Sequence, residues 1–232
     1  MKVIITGATG MVGEGVLLEC LQNDKIDAVL SISRRTADIQ HPKLKELLVK
    51  DFTDLSEVET EIGGYDACFY CAGVSSVGMK EDKYRYITYD TTFAFAKSLL
   101  KINPEISFIY VSGASTDSTE QGRVMWARVK GKTENDLAKL PFKKEYNFRP
   151  GGMTTVAGQK HANPFSFVAK IIKFFAPSAV LSLHEVGRAM IHAVERDDVK
   201  NILEIKISGH WLSGWVDIRS FGHYFHFQSS SS

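Results

Sequence analysis

Apolar residues recur along this chain in two rhythms. Short continuous runs such as Lys2–Thr6 (KVIIT) and Ala28–Ser33 (AVLSIS) have the length and β-branched content of buried strands. They alternate with stretches of helical period. In order, the pattern predicts a strand at Lys2–Thr6, a helix over 11–21, a strand at Ala28–Ser33, a short helix over 43–48 and a short strand over 48–51. A helix over 56–62 and a strand over 67–71 follow, then a long helix over 81–102 with Ile87, Phe95, Leu99 and Ile102 at its apolar positions. The remainder reads as a strand over 106–112, a helix over 123–140, a strand over 145–149, a helix over 184–194 and a late strand over 202–207. Strands alternating with helices, and apolar on both faces, imply an α/β fold: a doubly wound parallel sheet covered by helices on each side.

Two segments break the rhythm. Residues 151–183 hold Gly151, Gly152, Pro164 and Pro177 and predict a loop with a short apolar helix near 165–175, a small C-terminal cap over the strand ends. Residues 207–232 are rich in Trp and Phe, carry only Asp217 and Arg219 as formal charges, and finish in four serines. Two readings of this divergent tail stay open: an added edge strand or partner contact, and a terminus foreign to the domain. The expected division is a domain over 1–206, cap included, and a tail over 207–232.

Composition narrows the picture. The 232 residues are 44% hydrophobic and 24% charged, as in an ordinary globular chain. That length corresponds to one or two domains and needs no disulfide or metal to hold a core. A net charge of +1 gives no basic face for nucleic acid, and no apolar run reaches the roughly 18 residues of a membrane span. The first residues run directly into a strand, and three cysteines suit a reducing compartment, so a cytoplasmic location is expected. Cys68 and Cys71 have C-x-x-C spacing, but three residues apart on a strand they face opposite ways, so no metal site is expected.

The strongest chemical signal is Thr6-Gly7-Ala8-Thr9-Gly10-Met11-Val12-Gly13, a G-x-x-G-x-x-G turn between the first strand and the first helix. Gly7 permits the tight turn, Gly10 lets backbone approach a pyrophosphate, and Gly13 lets the helix pack close to the strand. The helix N-terminus offers free N–H groups to phosphates, so Thr9, Met11 and Val12 join the glycines as candidate cofactor contacts. The second strand ends in Arg34-Arg35, with no acid for a ribose 2′-hydroxyl. Guanidinium groups there suit a 2′-phosphate and predict NADP rather than NAD; a solvated basic turn is the alternative. Asp51-Phe52 is placed to meet an adenine, or else Asp51 caps the following helix. Ala72 and Gly73 end the fourth strand and let backbone pass beside a cofactor.

These motifs, in this order over residues 1–206, resemble the short-chain dehydrogenase/reductases. The glycine spacing resembles the extended and atypical branches, and most closely the atypical group often labelled nucleoside-diphosphate-sugar epimerases. The resemblance implies a Rossmann-type sheet that binds NADP, with Arg149-Pro150-Gly151 near the nicotinamide end. It implies a Y-x-x-x-K pair on the helix after the fifth strand. Here Lys130 fits the lysine, but Trp126 stands at the tyrosine position. Ser112 and Ser115 match the region of the substrate-orienting serine, and Thr88 falls at an asparagine of the long helix. Tyr84, Tyr86 and Tyr89 are candidate replacement hydroxyls, although packing explains tyrosines on such a helix equally. His161, His184 and His192 show no ligand spacing and read as surface or capping residues.

The expected function is hydride transfer between a nicotinamide nucleotide and a small carbonyl or alcohol. A regulator that senses NADPH and a sugar-nucleotide epimerase are the alternatives. The expected partners are the nucleotide and a small-molecule substrate, with room for a homodimer and no nucleic acid or membrane.

Overall fold

The computed structural model describes residues 1–155, 158–159, 180–196 and 202–205. The order of elements is β1 (Lys2–Thr6), α1 (Met11–Gln22), β2 (Ala28–Ser33), β3 (Leu44–Leu48), a 3₁₀ turn (Ser56–Val58) entering α2 (Glu59–Ile62), and β4 (Ala67–Tyr70). Next come α3 (Glu81–Arg85), a π turn (Tyr86–Asp90), α4 (Thr91–Ile102), β5 (Ser107–Val111), α5 (Met125–Leu137) and β6 (Lys144–Pro150). The last are β7 (Gly152–Thr154), β8 (Val180–Ser182), α6 (Leu183–Glu195) and β9 (Ile202–Ile205).

Seven of the described strands form one sheet in the order β3-β2-β1-β4-β5-β6-β9, every neighbouring pair parallel. This is the doubly wound Rossmann-type arrangement that the alternating pattern predicts. Alternate residues of each strand feed two cores. On one face Val3, Ile5 and Val29 pack with Val16 and Leu17 of α1 and with Val186 and Met190 of α6. On the other, Ile4, Leu30, Tyr70 and Phe108 pack with Phe95 and Leu99 of α4 and Leu137 of α5. Cys68 belongs to the second core while Cys71 packs against the first, on opposite faces of the sheet.

Helices α1 and α6 approach through glycines. A Cβ on Gly15 would lie 2.4 Å from Leu183 Cβ, and one on Gly187 would lie 2.8 Å from Glu19 Cβ. His184 is half-buried, and its Nδ1 meets Glu19 Oε2 at 2.8 Å across this contact. His192 lies 3.5 Å from Glu195 one turn on.

Three expectations change. Residues 43–48 form no helix; Leu44–Leu48 is β3, paired in parallel with β2, and it ends where the expected strand would begin. Leu, Lys and Glu favour helix, but the open edge of β2 offers a ladder, and Glu46 accepts from Thr36 Oγ1 and Ala37 N at 2.7 Å. The long helix carries a π turn at Tyr86–Asp90, which shifts its phase midway. The segment 151–183 contributes a second, two-stranded parallel sheet, β7 with β8, that the sequence pattern did not signal. The apolar helix near 165–175, His161 and the tail lie outside the described residues.

Candidate nucleotide site

Strand order reverses between β1 and β4, so the connections after these neighbours diverge and leave a crevice at their carboxyl ends. The glycine turn fills that point. Gly7 has φ +71°, a left-handed conformation, and a Cβ there would lie 2.7 Å from the Cys71 carbonyl and the Ala72 nitrogen. A Cβ on Gly13 would lie 2.1 Å from the Gly7 oxygen. Neither position has room for a side chain. Gly10 N donates to Gly7 O at 2.8 Å, closing the turn, and Glu14 N donates to Gly10 O at 2.9 Å, opening α1. Gly10 is the N-cap and has no side chain to cover the first-turn N–H groups, so these are presented to whatever fills the crevice. The side chains of Met11 and Val12 pack against the core; only their backbone is available there. Ala72 N donates to the buried Thr6 hydroxyl at 3.2 Å, tying β4's end to the turn.

Beside the turn lies a cavity of about 220 Å³ at the ends of β2, β3 and β4. Arg34 and Lys50 bring cations to it, Asp51 a carboxylate, and Phe52, Tyr70 and Tyr86 aromatic rings. Ala72 and Gly73 form part of its wall, and a Cβ at Gly73 would meet nothing within 4 Å. Phe52 is fixed by stacking on Phe95, centroids 5.5 Å apart. Asp51 Oδ1 accepts from Thr53 N at 2.8 Å and Thr53 Oγ1 at 2.7 Å. These donors lower its pKa below the usual carboxylate range, so it closes its own turn as well as facing the cavity. Arg35 does not line this cavity although it stands beside Arg34 in the bend after β2.

At the end of β5 the arrangement differs. Lys130 of α5 reaches the Ser112 carbonyl with Nζ, and burial lowers its pKa to about 8, opposed by the Glu134 carboxylate one turn on. Trp126 lies one turn before Lys130, beside Gly113, where a Cβ would be 3.8 Å from its ring. Ser112 is buried and donates its hydroxyl to the Phe148 carbonyl at 3.2 Å, while Ser115 is exposed with φ +68°. The two serines are not brought together.

Thr88 is buried in the π turn. The tyrosines separate: Tyr84 is 2% exposed, Tyr86 is 60% exposed and lines the cavity, and Tyr89 donates to Asp136 at 2.8 Å. Burial raises the Tyr84 pKa, away from proton transfer.

Arg149, at the end of β6, is engaged within the protein. Its Nε donates to both Glu134 oxygens, at 3.0 and 3.1 Å, and Nη2 reaches Glu134 and Ser118 Oγ. The buried guanidinium ties β6 to α5 instead of standing free at a nicotinamide. Pro150 is buried and accepts from Ala114 N at 2.9 Å, and Gly151 is exposed just beyond.

Two contributors, Lys50 and Arg128, carry no role in the sequence reading, and Tyr86 carries only that of a candidate replacement hydroxyl. Lys50 and Tyr86 line the cavity. Arg128 of α5 ties the start of α3 to the loop before α5, with Nη2 on both Glu81 oxygens at 2.8 and 3.0 Å and Nη1 on the Gly122 carbonyl at 2.7 Å. Lys50 had a signal, a cation directly before the Asp51-Phe52 pair; Arg128 had none, since Glu81 is 47 residues away.

Residues 3–123 match the NAD dependent epimerase/dehydratase family, more than half of the chain and the part that builds the turn and cavity. The chain belongs to that family. The family chain is similar to the fungal proteins named FMP52, mitochondrial: 23% identical over 174 residues to that of Meyerozyma guilliermondii, covering 75% of this chain and 72% of the relative. It is 26% identical over 167 residues to that of Candida albicans, covering 69% and 71%. Among solved structures, the UDP-glucuronic acid 4-epimerase of Bacillus cereus in complex with NAD superposes with a TM-score of 0.65 at 15% identity, covering 100% of this chain and 92% of that one. A short chain dehydrogenase family protein of Francisella tularensis gives 0.61 at 16% identity, covering 88% and 96%. These likenesses establish the fold.

The relatives' names also correct the expected cytoplasmic location, because they are mitochondrial. Three free cysteines, two of them buried, do not tell one compartment from another.

Proposed function

We propose that this member of the epimerase/dehydratase family binds NADP(H), over a domain spanning 1–206, and passes hydride slowly to or from a small carbonyl or alcohol. The observation that carries the reading is the glycine turn wedged against Cys71 and Ala72 at the sheet's switch point, next to a cavity with Arg34 at its rim. Backbone N–H groups of α1 suit a pyrophosphate, Phe52 and Tyr86 suit a purine, and Arg34 suits a 2′-phosphate.

When bound, the nicotinamide supplies the hydride; the chain must handle the proton. Trp126 cannot, because an indole N–H neither gives nor takes a proton at biological pH. Lys130 holds an ammonium at the end of β5 with its pKa lowered to about 8, and is the group we assign to that task. Tied to the Ser112 carbonyl, Nζ is fixed in place, and Ser112 Oγ, turned to Phe148, leaves orientation of the substrate to groups other than the expected serine.

A second reading, an NADPH-sensing regulator with negligible turnover, is favoured by Trp126 itself. Epimerisation of a sugar nucleotide through a transient ketone asks the same proton transfer of this site and gains nothing over the first reading. The test is NADPH oxidation with a panel of small aldehydes, ketones and quinones. Slow, saturable turnover that Lys130→Met abolishes supports the enzyme. Tight NADPH binding with no turnover on any member supports the regulator.

A further inference from the structure

Arg34 and Lys50 arrive at one cavity from the ends of adjacent strands, β2 and β3. Neither forms an ion pair with a carboxylate among the described residues. The nearest acid in sequence, Asp51, is occupied: its Oδ1 takes both the N–H and the hydroxyl of Thr53. Two cations facing one space repel each other, and an anion between them relieves this. The walls beside them are aromatic. Phe52 is immobilised on Phe95, and Tyr86 presents an exposed ring from the π turn. Aromatic faces next to paired cations suit a purine that carries a phosphate of its own. The pyrophosphate of a dinucleotide belongs with the glycine turn, so the anion for the paired cations is a second phosphate, farther out, on the ribose.

We infer that Lys50 is a specificity residue and forms, with Arg34, a two-cation clamp for a phosphate monoester on the adenosine ribose, the 2′-phosphate of NADP. This rests on the reading of the crevice as a nicotinamide-nucleotide site, and it moves discrimination from the expected Arg34–Arg35 pair to Arg34–Lys50. The geometry separates them: Arg35 lies outside the cavity and Lys50 lines it. Arg34 supplies a planar fork and Lys50 a point charge, which together grip a phosphate from two directions.

The test is calorimetric titration of the full chain with 2′,5′-ADP, 3′,5′-ADP and 5′-AMP, alongside NADPH and NADH. Lys50 is exposed, so its substitution leaves folding intact. The clamp predicts that Lys50→Gln weakens 2′,5′-ADP and NADPH about tenfold, as loss of one charge-assisted contact does. Lys50→Arg retains most of the affinity, and 5′-AMP and NADH change less than twofold. Lys45→Gln, an exposed lysine of β3 outside the cavity, changes nothing. An equal loss for 5′-AMP and 2′,5′-ADP, no loss for either, or tighter binding of 3′,5′-ADP than of 2′,5′-ADP overturns the clamp while NADH and NADPH binding still upholds the nucleotide site. Failure of every nucleotide to bind the wild-type chain overturns both.

Discussion

The two halves of the crevice are built by different means. Where β1, β2 and β4 end, shape comes from backbone meeting backbone: Gly7 against Cys71 and Ala72, Gly13 against Gly7, with side chains excluded by contact. Where β5 and β6 end, polar side chains are turned inward: Lys130 on the Ser112 carbonyl, Ser112 on the Phe148 carbonyl, Arg149 on the Glu134 and Ser118 side chains. The first half leaves its hydrogen-bonding groups facing outward, and the second uses much of its own internally. Under the proposed function, that contrast is one between a half that holds a nucleotide and a half that acts on it weakly.

The largest effect that sharpens the contrast is at Gly13. A Cβ there would overlap the Gly7 carbonyl, which cannot move without shifting the turn, so Gly13→Ala is expected to cost about 3 kcal/mol or more. Gly73→Ala, with nothing in reach of the new methyl, is expected to stay within about 0.5 kcal/mol. Denaturant unfolding of both variants checks this, and similar losses would break the backbone account.

In the other half, Arg149→Met leaves the Glu134 carboxylate buried without its guanidinium. A loss of about 3 kcal/mol is expected. A near-neutral melt would show that the pair is dispensable and would free Arg149 for the cofactor role expected of it.

How much of each half is legible in the sequence follows from the same contrast. A site made by excluding side chains declares itself as glycines at fixed spacing, so the turn, the switch-point strands and the sheet could be read directly. A site made by mutual side-chain pairing does not. Glu134 and Arg149 lie 15 residues apart on different elements, and only the folded helix brings them together. For the same reason β3 was misread: Leu44–Leu48 is built of helix formers, and the ladder with β2 that decides its state is a tertiary fact. Lys50 has only its place directly before Asp51-Phe52 to mark it, a weak signal until the cavity shows which side chains share a space.

Trp126→Tyr restores a hydroxyl one turn before Lys130 and is expected to raise carbonyl reduction by about 10²-fold. Reduction consumes a proton, so wild-type turnover is expected to fall as pH rises through about 8, where Lys130 loses its charge. A rate unchanged in Trp126→Tyr and flat across that range would remove Lys130 and this helix position from the chemistry.

The smallest effect concerns Glu145 on β6, buried next to Asn147. Burial, aided by the Glu134 charge, raises its pKa to about 8. The unfolded carboxyl ionises near pH 4.5 and the folded one near 8, so stability drains away as pH rises between those values and is constant beyond. Glu145→Gln is expected to flatten that slope and to gain about 1–2 kcal/mol at pH 8. Parallel melting curves for the two proteins from about pH 5 to about pH 8 would contradict it.

The measurement closest to the central claim is an equilibrium titration of the wild-type chain with NADPH and with NADH, followed by tryptophan fluorescence. The account predicts saturable binding of both, with NADPH tighter by about tenfold or more and the preference lost in Arg34→Ala. Equal affinities would contradict the phosphate recognition, and no binding of either would contradict the nucleotide site itself.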